Sequence, residues 1–138
     1  METQITASEI IETLLATNTL EEWEFLYIQA TSLFRMRITT DRISKAYQYK
    51  LAVRSVAADS QRIRLLSKAL RRATLEKALK NMDVRYAFTI RDNNQKDMLI
   101  LYMDFGNQHI SISGTVYHVN SELAGWFKDL ARDVVKTG

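Results

Sequence analysis

Proline is absent from this chain of 138 residues, and the first glycine is Gly106. At ordinary usage about a dozen of the two would precede that position. Inside a helix Gly costs about 1 kcal/mol and Pro about 3 kcal/mol. A long stretch free of both therefore predicts a helix-dense N-terminal two-thirds. All four glycines, Gly106, Gly114, Gly125 and Gly138, fall in the last third. No Gly/Pro/Ser-rich linker or internal repeat divides the chain, and its length suits one domain of ~100–150 residues.

Four helices are expected before residue 83. Thr6-Ala-Ser-Glu9 matches a capping box, in which Thr6 bonds the third amide on and Glu9 reaches back. Ile10, Ile11, Leu14 and Leu15 continue it as an amphipathic helix over about residues 7–17. Thr19-Leu-Glu-Glu22 repeats the box, and Leu20, Trp23, Leu26/Tyr27, Ala30 and Leu33/Phe34 keep a helical period. Phe34 to Ile38 reads as the ragged end of that second helix, and Thr39-Thr40-Asp41 as a break and N-cap. Ile43, Tyr47, Leu51, Val53 and Val56 place a third helix over Arg42 to Ala58. Asp59-Ser60 caps a fourth, Gln61 to Met82. One continuous helix from Arg42 to Lys80 would be ~58 Å long, against a gyration radius of ~14 Å for a globule of this size. Two helices bent at Asp59-Ser60 are favoured, and a long helix supporting a dimer is the alternative.

After Met82 the period changes to two. Val84, Tyr86, Phe88 and Ile90 alternate with Arg85, Ala87, Thr89 and Arg91, which marks a strand. A polar turn, Asp92–Asp97, leads to an apolar strand from Met98 to Phe105. Phe105-Gly106-Asn107-Gln108 suits a hairpin turn and sets a register in which Asp104 faces His109, Met103 faces Ile110 and Leu101 faces Ile112. His109 to Tyr117 is read as one third strand. Leu99, Leu101, Met103, Ile110, Ile112 and Val116 would face the helices. Tyr102, Asp104, His109, Ser111, Ser113, Thr115 and Tyr117 would face away. Asn120-Ser121-Glu122 starts a last helix with Leu123, Trp126, Phe127, Leu130 and Val134 on its apolar side. The expected fold is α+β: four N-terminal helices over residues 1–82, a three-stranded antiparallel meander over 83–118, and a C-terminal helix over 120–136 packed on one sheet face.

Composition narrows the chemistry. There is no cysteine, so disulfides and thiolate metal sites are excluded. No apolar run reaches the ~18 residues of a membrane span. The acidic start METQITASEIIE lacks the basic, apolar pattern of a signal peptide, so a cytoplasmic protein is expected. No Gly-rich phosphate loop is present. Asp92-x-Asn94-x-Lys96 lacks the glycine and the final glutamate of a calcium loop and puts Lys96 at a ligand position. No cofactor or metal is implied. Asp104 and His109 form the one conceivable acid–base pair, with His118 on the other parity and no nucleophile in reach. A solvated surface pair is the plainer reading, and no enzyme is expected.

Charge is the stronger signal. Arg35 to Lys80 holds 13 of the 19 Lys and Arg residues and only Asp41, Asp59 and Glu76, a net +10, whereas Met1 to Phe34 holds six Glu and no base. On a helical wheel Ile63, Leu66, Ala69, Leu70 and Ala73 share one side. Arg64, Lys68 and Arg71 lie nearly opposite, flanked by Arg72. Such a row can track phosphates. Lys45, Tyr47, Tyr49 and Lys50 interleave aromatics with cations and could add base stacking. These residues make a non-enzymatic nucleic-acid-binding or nucleic-acid-associated regulator the first expectation. The second is a protein-interaction module, an inhibitor or assembly factor, using charge polarity against an acidic partner or in a homodimer. Leu75, Leu79 and Met82 lie partly off the apolar stripe and hint at a subunit contact. An ordinary solvated helix face accounts for the same charges without a partner.

Overall fold

The computed structural model describes residues 3–29, 37–54, 60–73, 75–79, 81–104 and 106–137. Its elements, in order, are α1 (Thr3–Ala16), β1 (Leu20–Tyr27), α2 (Ile43–Ala46), β2 (Tyr49–Arg54), α3 (Ser60–Arg72), β3 (Val84–Asp92), β4 (Asp97–Asp104), β5 (His109–Ile112), β6 (Thr115–His118) and α4 (Ser121–Thr137). The six strands form one antiparallel sheet in the order β2-β1-β3-β4-β5-β6. The α+β class is as expected, but its distribution is not. The four-helix N-terminal part and the three-stranded meander give way to a larger sheet.

The expected second helix is strand β1. Trp23, Phe25 and Tyr27 alternate along it and sit opposite Ile90, Phe88 and Tyr86 of β3. A helix would spread these rings around its girth, whereas a strand puts all three on one face. Trp23, Phe25 and Phe88 are fully buried, and the Trp23 and Phe88 rings lie 5.5 Å apart. The chain is turned into β1 by Asn18 at φ 56°. Thr19 N–H donates to Leu14 O at 3.0 Å and Asn18 N–H to Leu15 O at 3.3 Å, the paired bonds of a Schellman ending with Asn in the left-handed position. The first helix starts at Thr3, so Thr6 lies inside it and is not its N-cap.

The expected third helix is also replaced. Only the single turn α2 is helical, with no side-chain cap at Arg42. In β2, Tyr49, Leu51 and Val53 pair with Tyr27, Phe25 and Trp23. Residues 30–36 and 55–59, which include Phe34 to Met36 of the expected ragged end and Asp59, lie outside the described residues, and Arg37 and Ile38, the rest of that expected end, are not helical. The fourth helix ends at Arg72, ten residues early, and a continuous helix over 42–80 is excluded by β2. Beyond it, His118 N–H donates to Glu76 O at 2.8 Å and Ala78 N–H to Val116 O at 2.9 Å. This segment lies along the edge of β6, and Lys77 bridges Tyr117.

The β4–β5 register is the expected one, Met103 opposite Ile110 and Leu101 opposite Ile112. The expected third strand is two strands. Ser113 (φ 52°) and Gly114 (φ 83°) make a two-residue turn of the kind that needs positive φ at both central positions. Ile110 then faces Tyr117 and Ile112 faces Thr115. Tyr117 thus joins the helix side, where its hydroxyl donates to Thr3 Oγ1 at 2.8 Å, and Val116 joins the far side.

The helix-facing side of the sheet buries Trp23, Phe25, Phe88, Leu101 and Ile112 with Ile11 of α1, Leu66 and Leu70 of α3, and Trp126 and Phe127 of α4. Asn120 Oδ1 accepts from Leu123 N–H at 2.9 Å and caps α4. The far side holds a second cluster of Leu26, Ile28, Ile38, Ile43, Met82, Val84 and Ala87, made by a strap that includes α2. Asp83 Oδ1 accepts from Ile38 N–H at 2.8 Å and anchors that strap.

On the same far side the acids of β1 meet cations from both neighbours. Lys50 Nζ lies 3.5 Å from Glu24, and Arg91 lies 3.6 Å from both Glu22 and Glu24 and 2.8 Å from Asp97. Partial burial opposes the Arg91 charge, but these three carboxylates outweigh it and raise its pKa. Arg91→Met should lower unfolding stability by about 1–3 kcal/mol, because the buried Glu22 carboxylate loses a partner. Urea titration measures this, and Glu22→Gln in the same chain should recover part of it.

Candidate nucleic-acid interface

α3 carries five cations and no acid. Its buried side is Ile63, Leu66, Ala69 and Leu70, with Ala73 just beyond, the stripe that helical periodicity predicts. Arg64, Lys68, Arg71 and Arg72 are all exposed on the remaining surface. They are not equivalent. Arg71 Nη2 lies 2.9 Å from Glu12 of α1, and Arg72 Nη1 lies 3.0 Å from Glu122 of α4. Both also sit in the last turn of the helix, where the dipole favours cations. Arg62 bonds Asp133 at 2.7 Å. Among the described residues Arg64 and Lys68 have no ion pair, and they line a groove of about 380 Å³ between α1 and α3.

Lys45, Tyr49 and Lys50 do not extend this row, and the expected helix that would interleave them is absent. Lys45 is exposed at the end of α2. Tyr49 points to the helix side of β2, its ring 6.1 Å from Tyr27. Lys50 points to the far side, paired with Glu24. Neighbours on a strand face opposite ways, so the aromatic and the cation are separated by the sheet.

Asp104 and His109 do come together. Asp104 Oδ2 lies 2.7 Å from His109 Nδ1, and Oδ1 accepts from Gln108 N–H at 3.0 Å and His109 N–H at 2.9 Å. Both side chains are buried, which a solvated surface pair would not be. His118 is opposite His109 on β6, with ring centres 4.9 Å apart. This corrects the expected separation, and the reason is the Ser113-Gly114 turn. The carboxylate closes the β4–β5 hairpin and holds the imidazole ring. Asp92 does the same for the preceding hairpin, its Oδ1 accepting from Asn94 N–H at 2.9 Å and Lys96 N–H at 3.0 Å. Among the described residues no group of three or more His, Asp or Glu side chains is placed to hold a metal. No described helix is long and apolar enough to cross a membrane.

One assembly escaped the sequence reading. Tyr27, Tyr49 and Tyr86 gather on the helix side of the sheet, with Tyr27 5.0 Å from Tyr86. Lys128, Arg132 and Lys136 of α4 stand beside Tyr27 and Tyr86. The cation spacing, i, i+4, i+8, is visible in the sequence, but the tyrosines that complete the assembly are not nearby in the chain. Tyr86 donates to Asn107 Oδ1 at 3.2 Å. Burial, reinforced by Tyr27 and Asp104, pushes its phenol up to about 12 although the Asn107 bond pulls the other way.

No family model, curated protein or solved structure matches the chain. Function has to be read from geometry.

Two outcomes test this geometry. Asp104→Ala should cost about 2–4 kcal/mol in urea unfolding, since two backbone N–H groups and the His109 ring lose their acceptor together. The Tyr86 phenol ionises near 10 in the unfolded chain and about 12 in the folded one, so the native state keeps this proton longer. The stability it contributes is intact below pH ~10 and is lost as pH rises through about 12. Absorbance at alkaline pH should show a late-ionising tyrosine signal that Tyr86→Phe reduces, with Tyr102, whose phenol burial also raises, contributing the remainder.

Proposed function

We propose that the chain is a small non-enzymatic binding protein that associates with nucleic acid through the outer face of α3. The observation that carries this reading is a helix with five cations and no acid, on which Arg64 and Lys68 have no ion pair among the described residues. Side chains four apart sit about 6 Å along the helix axis and can contact successive backbone phosphates. Arg71 and Arg72 extend the row but already share their charge with Glu12 and Glu122. They contribute less than Arg64 and Lys68. Lys45, Tyr49 and Lys50 contribute through this face not at all.

A protein-interaction module is the second reading. It draws on Leu79, which is fully exposed, and Leu65, about half exposed. A homodimer built on charge polarity has less to work with, because Glu12, Glu22 and Glu24 already face cations of their own chain. Under this reading sedimentation at high protein concentration would detect self-association that Leu79→Ser abolishes.

The nucleic-acid reading predicts binding to a labelled duplex that weakens steeply with salt, with a log–log slope near −0.9 per phosphate neutralised. Arg64→Gln with Lys68→Gln, which removes both charges without setting carboxylates beside Glu12 in the same groove, should weaken binding at low salt about tenfold and leave the urea midpoint unchanged, since neither side chain has an ion pair to lose. Arg71→Glu is a poor probe, because it would set two carboxylates together. Absence of binding to both DNA and RNA at low salt would overturn the reading.

A further inference from the structure

At the C-terminal end of α4 a groove of about 330 Å³ runs between the helix and the ends of β1 and β3. Its walls are of three kinds. Tyr27 and Tyr86 supply aromatic surface. Ala131 and Val135 supply an apolar floor. Lys128, Arg132 and Lys136 supply a cationic rim, and Gln29 also lines the groove. Tyr27 is the less buried of the two rings, with Phe25, Tyr49 and Tyr86 around it at centroid distances of 6.2, 6.1 and 5.0 Å. It is half-buried, whereas Tyr86 is buried and its hydroxyl is bonded to Asn107. The three cations are exposed and span about 12 Å of helix. Arg132 touches Asp129 only at 3.5 Å, on the exposed surface. Among the described residues Lys128 and Lys136 have no ion pair.

We propose that this groove takes a nucleotide unit of a single-stranded nucleic acid, its base against Tyr27 and its flanking phosphates on Lys128, Arg132 and Lys136. The inference rests on the nucleic-acid reading above and adds to it a second contact and a strand preference. Size supports a unit of this order, since the groove lies at the lower end of ligand sites of ~300–1,000 Å³. Chemistry selects among anions. An acidic peptide satisfies the cations but leaves the ring face and the apolar floor uncovered. A nucleotide matches both, and aromatic platforms beside cationic tracks are what single-strand binders use. A duplex cannot use the groove, because its bases are stacked on one another and present no free face to Tyr27. The α3 face, with cations alone, accepts either form. A free mononucleotide offers the same base and phosphate, and competition separates it from a strand.

The test is fluorescence anisotropy with labelled oligothymidylate of about 12 nucleotides and a duplex of the same length, at two salt concentrations. Wild type should bind the single strand at least tenfold tighter than the duplex. Lys128→Glu with Lys136→Glu should remove that preference and leave duplex affinity within about threefold. Tyr27→Leu should weaken single-strand binding by roughly 5- to 100-fold with little effect on duplex. Should that variant fail to fold, the exposed lysine pair still decides. Thymidine monophosphate competing at a concentration of sites similar to the oligonucleotide would locate affinity in the unit rather than in the strand, and would overturn the strand assignment. Equal binding of both forms, unchanged single-strand binding in the lysine variant, or equally effective competition by polyglutamate would overturn the proposal. Duplex binding that depends on Arg64 and Lys68 without a strand preference removes this inference alone. Absence of any nucleic-acid binding removes both.

Discussion

The rings of Trp23, Phe25 and Phe88 must be buried together, and most of the structure follows from how that is done. Each is fully buried. Truncating one such ring to Ala costs about 3–5 kcal/mol, more than any ion pair here can return. Period two is the geometry that brings Trp23 and Phe25 to one side of a segment this short. Phe88 meets them from β3, and Trp126 closes over it edge-on at 5.0 Å. Trp126 is then held to α3 by its Nε1–H donating to Arg62 O at 2.9 Å. One demand for burial thus sets β1 as a strand, orders α4 over it and fixes α3 beside α4.

The same parity decides where charge goes. With Trp23 and Phe25 inward, Glu22 and Glu24 must face the far side, and there Lys50 and Arg91 meet them. Glu12 meets Arg71 between α1 and α3, and Glu122 meets Arg72 between α3 and α4. The acidic N-terminal quarter and the basic middle of the chain are therefore interleaved in space. Exposed pairs of this kind contribute only ~0–1 kcal/mol each, so they do not hold the fold. Their effect is on the field, since they offset the charge of four of the thirteen cations in residues 35–80, Lys50, Arg62, Arg71 and Arg72. Arg64 and Lys68 on α3, and Lys128 and Lys136 on α4, are among the described cations that make no ion pair with a described carboxylate. The functional readings rest on these residual charges.

What was legible in the chain follows from how local its cause is. Strands β3 and β4, the β4–β5 register, the buried stripe of α3 and the start of α4 depend on near neighbours: strict alternation, Gly106-Asn107, helical spacing, the Asn120 cap. Strands β1 and β2 do not. Absence of Gly and Pro argued for helix, but strands exclude both residues too, so that absence constrains tight turns and not the choice of element. Asn18 supplied the left-handed residue that a glycine would have marked. In β2 the sequence fits both periods. Ile43, Tyr47 and Leu51 recur every four residues, and Tyr49, Leu51 and Val53 every two. The exposed edge of β1 decides between them, and that edge is unknown until β1 is a strand. The turn at Ser113-Gly114, whose positive φ at a serine carries no sequence mark, reverses the parity of everything after it and so brings His118 opposite His109.

The candidate site shows the same limit from the functional side. Lys45, Tyr49 and Lys50 looked like a cation–aromatic surface because they are adjacent in sequence. Adjacency in a strand sends Tyr49 and Lys50 to opposite faces, so the combination they suggest is one their own conformation forbids. The combination that does exist joins a ring from β1 and one from β3 to a row from α4, residues 27, 86 and 128–136. Each part has an ordinary explanation alone: Tyr27 and Tyr86 edge the core, and Lys128, Arg132 and Lys136 are the solvated side of an amphipathic helix. Their chemistry as a unit is produced by the packing of α4 on the sheet, so it is the burial of Trp126 and Phe127 that places cations beside tyrosines. A variant that loosened that packing would lose the groove while every residue lining it remained.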